Sequence, residues 1–283
     1  MFPIRDTVPN RSFPSTTWTI IILCGIVFLF ETTLPQELLE DFTYYFGIVP
    51  IAYTKRHPHS LPLLDYLSFL TTMFLHGGWL HFLGNMWFLK IFGSKVEDRM
   101  GHSRFLVFYL IVGILASIFY IYFSPRSSMP VIGASGAIAG VMGAYYVLFP
   151  RAKILTLIPI FIFPWFIELP AVIFLGWWFL LQLFSGTVAQ VLPADGGGVA
   201  WWGHIGGFIA GVLLVPFFKR PSRLLPPFMV LILFNYSMVL PYNKTVRICR
   251  NEVSRTRTVS IFGRQRVTLT TPRSFPLPHS PAY

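Results

Sequence analysis

Phe105-Leu106-Val107-Phe108-Tyr109-Leu110-Ile111-Val112-Gly113-Ile114-Leu115-Ala116-Ser117-Ile118-Phe119-Tyr120-Ile121-Tyr122-Phe123 contains no charged side chain. About 20 apolar residues are enough for a helix to cross the hydrocarbon core of a bilayer. In lipid the backbone groups of such a segment must be paired internally, which a helix does. The run therefore predicts a membrane-spanning helix, and it decides the fold class: all-α and polytopic. Composition agrees. Of 283 residues, 54% are hydrophobic, 17% are aromatic and only 12% are charged, against about 25% charged in soluble domains. That balance excludes a disordered chain, a coiled coil and an ordinary cytosolic enzyme. Two cysteines, Cys24 and Cys249, cannot build a disulfide framework. Cys24 reads as lipid-facing.

Five further runs flank the first: Trp18–Phe30, extended by Ser15, Thr16 and Thr17; Trp79–Phe92; Val131–Phe149; Pro170–Phe184; and Val199–Phe218. Together they predict a six-helix bundle. Residues 1–14 form an N-terminal segment, 15–220 the bundle, and 221–283 a hydrophobic stretch with a basic tail. No small-residue cleavage site clearly follows the first run, so it reads as an uncleaved anchor. Glu31–Gly78 is too polar to span and too aromatic to be floppy, and reads as a structured loop in the membrane interface. Ile154–Ile167 is apolar but holds Pro159 and Pro164, and reads as an interfacial connection.

With the N-terminus inside, the inner segments 1–14, 90–104, 151–153 and 219–223 hold eleven Lys or Arg, and the outer loops hold only Lys55, Arg56 and Arg126. That is a positive-inside pattern. The formal charge of +11 then reports inner loops and anionic lipid, and no nucleic-acid motif argues otherwise. Leu224–Leu240 leaves two readings open: a seventh span, or a hairpin or surface segment that leaves the tail inside. The charge bias favours the second, since eight Lys or Arg follow Pro241. The tail is rich in Pro, Ser and Thr and is expected to be disordered and cytoplasmic. No transit-peptide composition precedes Trp18, so a bacterial cell membrane is the expected location.

Polar side chains inside a bilayer are costly and by default mark function. Four stand out: His81, Asn85, Ser135 and His204. His81 and Asn85 are one helical turn apart on one face. The expected topology sets all four in the outer third of the membrane, with Ser135 about one turn into its span. Gly136, Gly140 and Ala144 recur every four residues in the fourth run, as do Gly203, Gly207 and Gly211 in the sixth. Small residues at this period let two backbones approach closely, and a short serine needs that to come within about 3 Å of a histidine nitrogen. Each residue alone reads more readily as packing or as an interhelical polar contact. The four together point to one site.

His76-Gly77-Gly78-Trp79-Leu80-His81-Phe82-Leu83-Gly84-Asn85, Gly133-Ala134-Ser135-Gly136 and Gly203-His204-Ile205-Gly206-Gly207 occur in this order on the second, fourth and sixth runs. With Val96-Glu97-Asp98-Arg99-Met100-Gly101, they resemble the rhomboid intramembrane serine proteases over residues 15–220. The resemblance implies a Ser-His dyad, with Ser135 as nucleophile and His204 as general base. It implies an oxyanion hole of His81, Asn85 and the Ser135 backbone N–H. It also implies single-span membrane proteins as substrates, the lipid bilayer as medium, and no metal or cofactor. No carboxylate is placed to orient His204; Asp195, in the loop before it, reads as solvated. Many members carry a tyrosine one turn after the serine, stacked on the histidine. Here that position is Ala139, so either another side chain holds the His204 ring or the ring is more mobile. The fifth run, with Trp177, Trp178 and Gln182, resembles the family's substrate gate. Glu97 and Arg99 read equally as a brace or as a solvated face, and His76 reads as an interfacial loop residue.

The rivals are a zinc metalloprotease, a transporter and a catalytically inactive rhomboid relative that only binds membrane segments. The chain lacks His-Glu-x-x-His, lacks convincing paired repeats, and keeps both Ser135 and His204. Oligomeric state, substrate identity and cleavage site leave no mark in the sequence.

Overall fold

The computed structural model describes residues 1–55, 62–160, 163–191, 199–220, 257–261 and 265–269. The chain divides into two units, Met1–Arg220 and Pro221–Tyr283. The first is mostly helical. Helix α1 is Ser15–Glu31. The next stretch holds three short helices, α2 (Gln36–Phe46), α3 (Pro50–Thr54) and α4 (Pro62–Thr71), and a 3-10 turn at Thr72–Phe74. Helix α5 (Trp79–Phe88) runs through a π turn at Leu89–Gly93 into α6 (Ser94–Met100). Then come α7 (His102–Phe123), α8 (Ser135–Leu148), α9 (Ala171–Val191) and α10 (Trp201–Phe218).

Three of these, α7, α9 and α10, are long and apolar enough to cross a membrane; α1 and α8 are apolar but shorter. The fourth run is helical only from Ser135, so the serine stands at the start of its helix and not a turn inside it. The reason is local. Val131 pairs with Ile48 through two backbone hydrogen bonds of 2.8 and 2.9 Å, and Gly133 N–H donates to the Thr72 carbonyl at 2.8 Å. These bonds hold residues 131–133 out of a helix.

The bundle packs on α8 and α10 as the small-residue periods predict. A Cβ on Gly207 would lie 2.1 Å from the Gly136 carbonyl oxygen, and one on Gly211 would lie 1.9 Å from that of Gly140. No side chain fits there, so glycine sets how closely the two backbones approach. Cys24, expected to face lipid, is instead fully buried, with Sγ 3.8 Å from the Met73 carbonyl.

The fold is not purely helical. Strand β1 (Phe2–Asp6) pairs antiparallel with β2 (Lys153–Ile160), which pairs antiparallel with β3 (Phe163–Pro170). The stretch read as a proline-broken connection is thus a hairpin with Pro159 opposite Pro164. Its Ile, Thr, Trp and Phe residues favour strands. Prolines lacking N–H donors are tolerated near a strand end. The N-terminal segment supplies the third strand.

In the second unit, β4 (Arg257–Ile261) and β5 (Gln265–Leu269) form an antiparallel pair. The β-branched residues of this pair, in the stretch expected to be a disordered tail, suit a strand. Leu224–Leu240, Asp195 and Cys249 lie outside the described residues.

Candidate active site

Ser135 opens α8, and the first N–H groups of a helix have no intrahelical acceptor. The turn before it depends on Gly133, whose φ is +125°, a backbone conformation that side-chain-bearing residues rarely adopt. A Cβ there would also lie 2.7 Å from the His81 ring. The Gly-Ala-Ser-Gly stretch therefore both turns the chain and leaves room for a histidine against its backbone.

His204 is the fourth residue of α10 and is 9% exposed. Its Nε2 lies 2.8 Å from Ser135 Oγ. On the other side of the ring, Nδ1 lies 2.8 Å from Gln182 Oε1. Gln182, on α9, is buried, and its Nε2 donates to the Trp178 carbonyl at 3.3 Å. The Trp178 and Trp201 rings flank the imidazole, with centroids 5.9 and 6.3 Å away. Ala139 is fully buried in the core.

His81 and Asn85, on α5, face the backbone at Gly133. Asn85 Nδ2 is buried and has no hydrogen-bond partner among the described residues. An unpaired buried amide donor costs about 1–3 kcal/mol; Tyr109 OH and Trp202 Nε1 are likewise buried without a partner among the described residues. His76, expected at an interfacial loop, is buried at 2% exposure. Its backbone N–H donates to the Glu31 carboxylate at 3.1 and 3.3 Å, and its ring lies 5.3 Å from that of His81. Burial first, and then the neighbouring His81, push its imidazole down to about 4.

Ser135 and His204 also line a cavity of about 30 Å³ with Gly133, Ser117 and Tyr120. That is enough for one water molecule. Among the described residues, no group of three or more His, Cys, Asp or Glu could hold a metal ion.

The structure thus gathers Ser135, His204, His81 and Asn85 into one place, drawn from α5, α8 and α10. Gln182 was read only as part of a gate-like helix. A signal existed, since it is an amide in an otherwise apolar run, but nothing in the sequence says which way the helix turns it. Glu97, at the far end of the bundle, proves buried at 1% exposure.

The rhomboid domain matches residues 64–221. Rhomboid protein 1, mitochondrial, of Saccharomyces cerevisiae is 30% identical over 151 residues, 52% of this chain and 40% of that protein. Rhomboid protease GluP of Bacillus subtilis is 42% identical over 80 residues, 28% of this chain and 15% of that protein. Rhomboid-like protease 3 of Toxoplasma gondii is 27% identical over 159 residues, 56% of this chain and 53% of that protein. The matched stretches cover less than two thirds of each relative's own length.

Proposed function

The chain belongs to the rhomboid family, and from that membership we propose that it is an intramembrane serine endopeptidase working by a Ser135–His204 dyad. The observation that carries the reading is the 2.8 Å contact between Ser135 Oγ and His204 Nε2. In this reading Ser135 Oγ attacks the scissile carbonyl as its proton passes to His204 Nε2. The protonated ring then gives that proton to the leaving amine. Water hydrolyses the acyl ester by the same path in reverse, and the small cavity beside Ser135 supplies a place for it. Negative charge on the tetrahedral oxygen falls to Asn85 Nδ2, the Ser135 backbone N–H and His81. The unpartnered Asn85 amide supports this assignment. No step calls for a metal or cofactor.

We read the chain as six spans in a cell membrane, with α1, the continuous α5–α6 segment, α7, α8, α9 and α10 crossing. The N-terminus is cytoplasmic and the dyad faces outward, as the positive-inside count supports. The substrates are single-span membrane proteins. The matched relatives carry protease and rhomboid-like names, so the second reading is a family member that binds membrane segments without cutting them.

One experiment separates the two. Detergent-solubilised protein is treated with a fluorophosphonate probe, with Ser135→Ala as control. Labelling of the wild type alone supports the protease. Equal or no labelling of both leaves the binder.

A further inference from the structure

His204 can accept a proton from Ser135 only through an unprotonated Nε2. A neutral imidazole carries one N–H and one acceptor nitrogen, so Nδ1 must then hold the proton and needs an acceptor of its own. In a serine hydrolase triad a carboxylate does this. Here no carboxylate touches His204 among the described residues. Among the described residues, His81, on α5, acts electrostatically on the ring, and Tyr120, on α7, lines the same cavity. The side chains that α8 and α9 turn towards it, Ser135, Trp178 and Gln182, carry no charge.

We propose that Gln182 is the positioning residue for this base: its side-chain carbonyl accepts the Nδ1 proton of His204 and so holds the Nε2 lone pair on Ser135. The proposal rests on the protease reading above and adds a third member to the dyad. Its geometry is the 2.8 Å contact between Nδ1 and Oε1.

The sense of that hydrogen bond follows from a neighbour. A glutamine amide has an oxygen and a nitrogen at interchangeable ends. The Trp178 carbonyl, 3.3 Å from the other end, can only accept. It therefore takes the NH₂ end, and the oxygen turns to His204. The opposite orientation would press two oxygens together and offer a donor to Nδ1. The proton would then be forced onto Nε2, where it would block the base. Trp178 and Gln182 are one turn apart on α9, so this helix sets both the ring's flank and its tautomer.

A neutral amide suits the site. A buried carboxylate would carry a desolvation cost of several kcal/mol unless fully paired, and the Trp178 carbonyl at its other end has no hydrogen to donate to it. Gln182 orients the base without adding charge to the apolar bundle. It also takes over the support that Ala139 cannot give.

The test is a series at Gln182 read in three ways. First, ¹⁵N spectroscopy of His204 reads the tautomer without turnover. The wild type shows a single Nδ1–H form, and Gln182→Leu loses it. Second, Gln182→Leu lowers kcat about 10²-fold with KM little changed, the size expected for a misaligned catalytic group. Third, Gln182→Glu keeps an acceptor and restores most of kcat, while its added charge favours the imidazolium. The acidic limb of its kcat/KM profile therefore moves to higher pH, a change that a packing role would not produce. A wild-type Nε2–H tautomer, an undiminished kcat in Gln182→Leu, or an unmoved limb in Gln182→Glu would each overturn the proposal. Should Gln182→Leu fail to fold, the wild-type spectrum and the Gln182→Glu profile decide alone. Failure of the protease reading is seen separately, as absence of Ser135-dependent probe labelling.

Discussion

Ser135 and Tyr145 stand towards opposite ends of α8, about 15 Å apart along its axis, and the polar groups around them differ in kind. At the Ser135 end the side chains around the dyad, Gln182, Asn85 and His81, carry no carboxylate, Glu31 being bonded to the His76 backbone, and buried donors such as Asn85 Nδ2 lack a partner among the described residues. At the other end the groups are charged and saturated. Tyr145 OH donates to Asp6 Oδ2 at 2.7 Å, and Lys95 Nζ lies 3.6 Å from Asp6 Oδ1. Close by in sequence to Lys95, the Glu97 carboxylate accepts from the backbone N–H groups of Thr16 and Thr17, both at 2.8 Å, and from the Thr17 hydroxyl at 2.6 Å. His102 Nδ1 lies 2.6 Å from the same carboxylate. Unfilled capacity suits a site that must accept charge briefly. Filled capacity suits an anchor. The difference predicts that substitutions at the Ser135 end change turnover, and those at the sheet end change stability.

The largest effect is expected at Ser135. Ser135→Ala removes the nucleophile, for which the cavity has no substitute, and proteolysis of a single-span substrate falls to background. The variant's unfolding midpoint in detergent stays near that of the wild type. A Ser135→Ala protein that still cuts would break the comparison at its strongest point.

Asn85→Ala comes next. Losing one oxyanion donor costs about 10²–10³ in kcat with little change in KM. Because Nδ2 has no partner among the described residues, its removal leaves none of them unsatisfied, and stability holds or rises slightly. Steady-state kinetics alongside thermal unfolding would show this. A large loss of stability with unchanged kcat would make Asn85 a structural residue.

The same contrast explains what was legible in the sequence. His81, Asn85, Ser135 and His204 were visible because each interrupts an apolar run, where a polar side chain is an anomaly. The glycine periods then bring Ser135 against His204. Asp6 and Lys95 lie in segments where charge is ordinary, so nothing set them apart from a solvated loop, and Glu97, though in a rhomboid-like stretch, read equally as a brace or as a solvated face. The hairpin of β2 and β3 was hidden for a related reason. Its apolar residues and two prolines read as an interfacial connection, and the strand that completes the sheet, β1, lies some 150 positions earlier in the chain. Pairing at that separation leaves no local periodicity. Gln182 lies between the cases: an amide in an apolar run is an anomaly, but the sequence does not say that the helix turns it to His204 Nδ1.

Glu97→Gln tests the anchor. The first turn of α1 has free N–H donors, and Pro14, the residue just before the helix, supplies no side-chain cap. Glu97 caps the helix from α6 instead. An amide offers one acceptor oxygen where the carboxylate offers two, and turns an NH₂ towards existing donors. Charge-assisted bonds contribute about 1.5–3 kcal/mol each, so a loss of about 3 kcal/mol in unfolding free energy is expected. The folded fraction should keep its kcat. A variant with wild-type stability and reduced kcat would reverse the roles of the two ends.

The smallest effect is expected at Tyr145→Phe. The substitution removes one hydroxyl and leaves the ring in place against Phe92 and Phe149, with centroids 5.0 and 4.9 Å away. Asp6 keeps Lys95 as a partner, so the cost is about 1 kcal/mol. Its pH dependence carries the sharper test. Burial raises the Asp6 carboxyl above its ordinary value, and the Tyr145 hydroxyl opposes that shift by bonding the charged form. The bond therefore contributes most where Asp6 is ionised, and its contribution shrinks as acid protonates the carboxylate. Unfolding midpoints of wild type and Tyr145→Phe should differ more at neutral pH than in acid, and should converge as the pH falls through the Asp6 transition. A gap that stays constant, or widens in acid, would mean that the bond does not depend on the Asp6 charge. The sheet end would then be held by packing of Phe2 on Trp87 and by the 2.7 Å bond from Trp87 Nε1 to the Pro3 carbonyl, and not by its ionised groups.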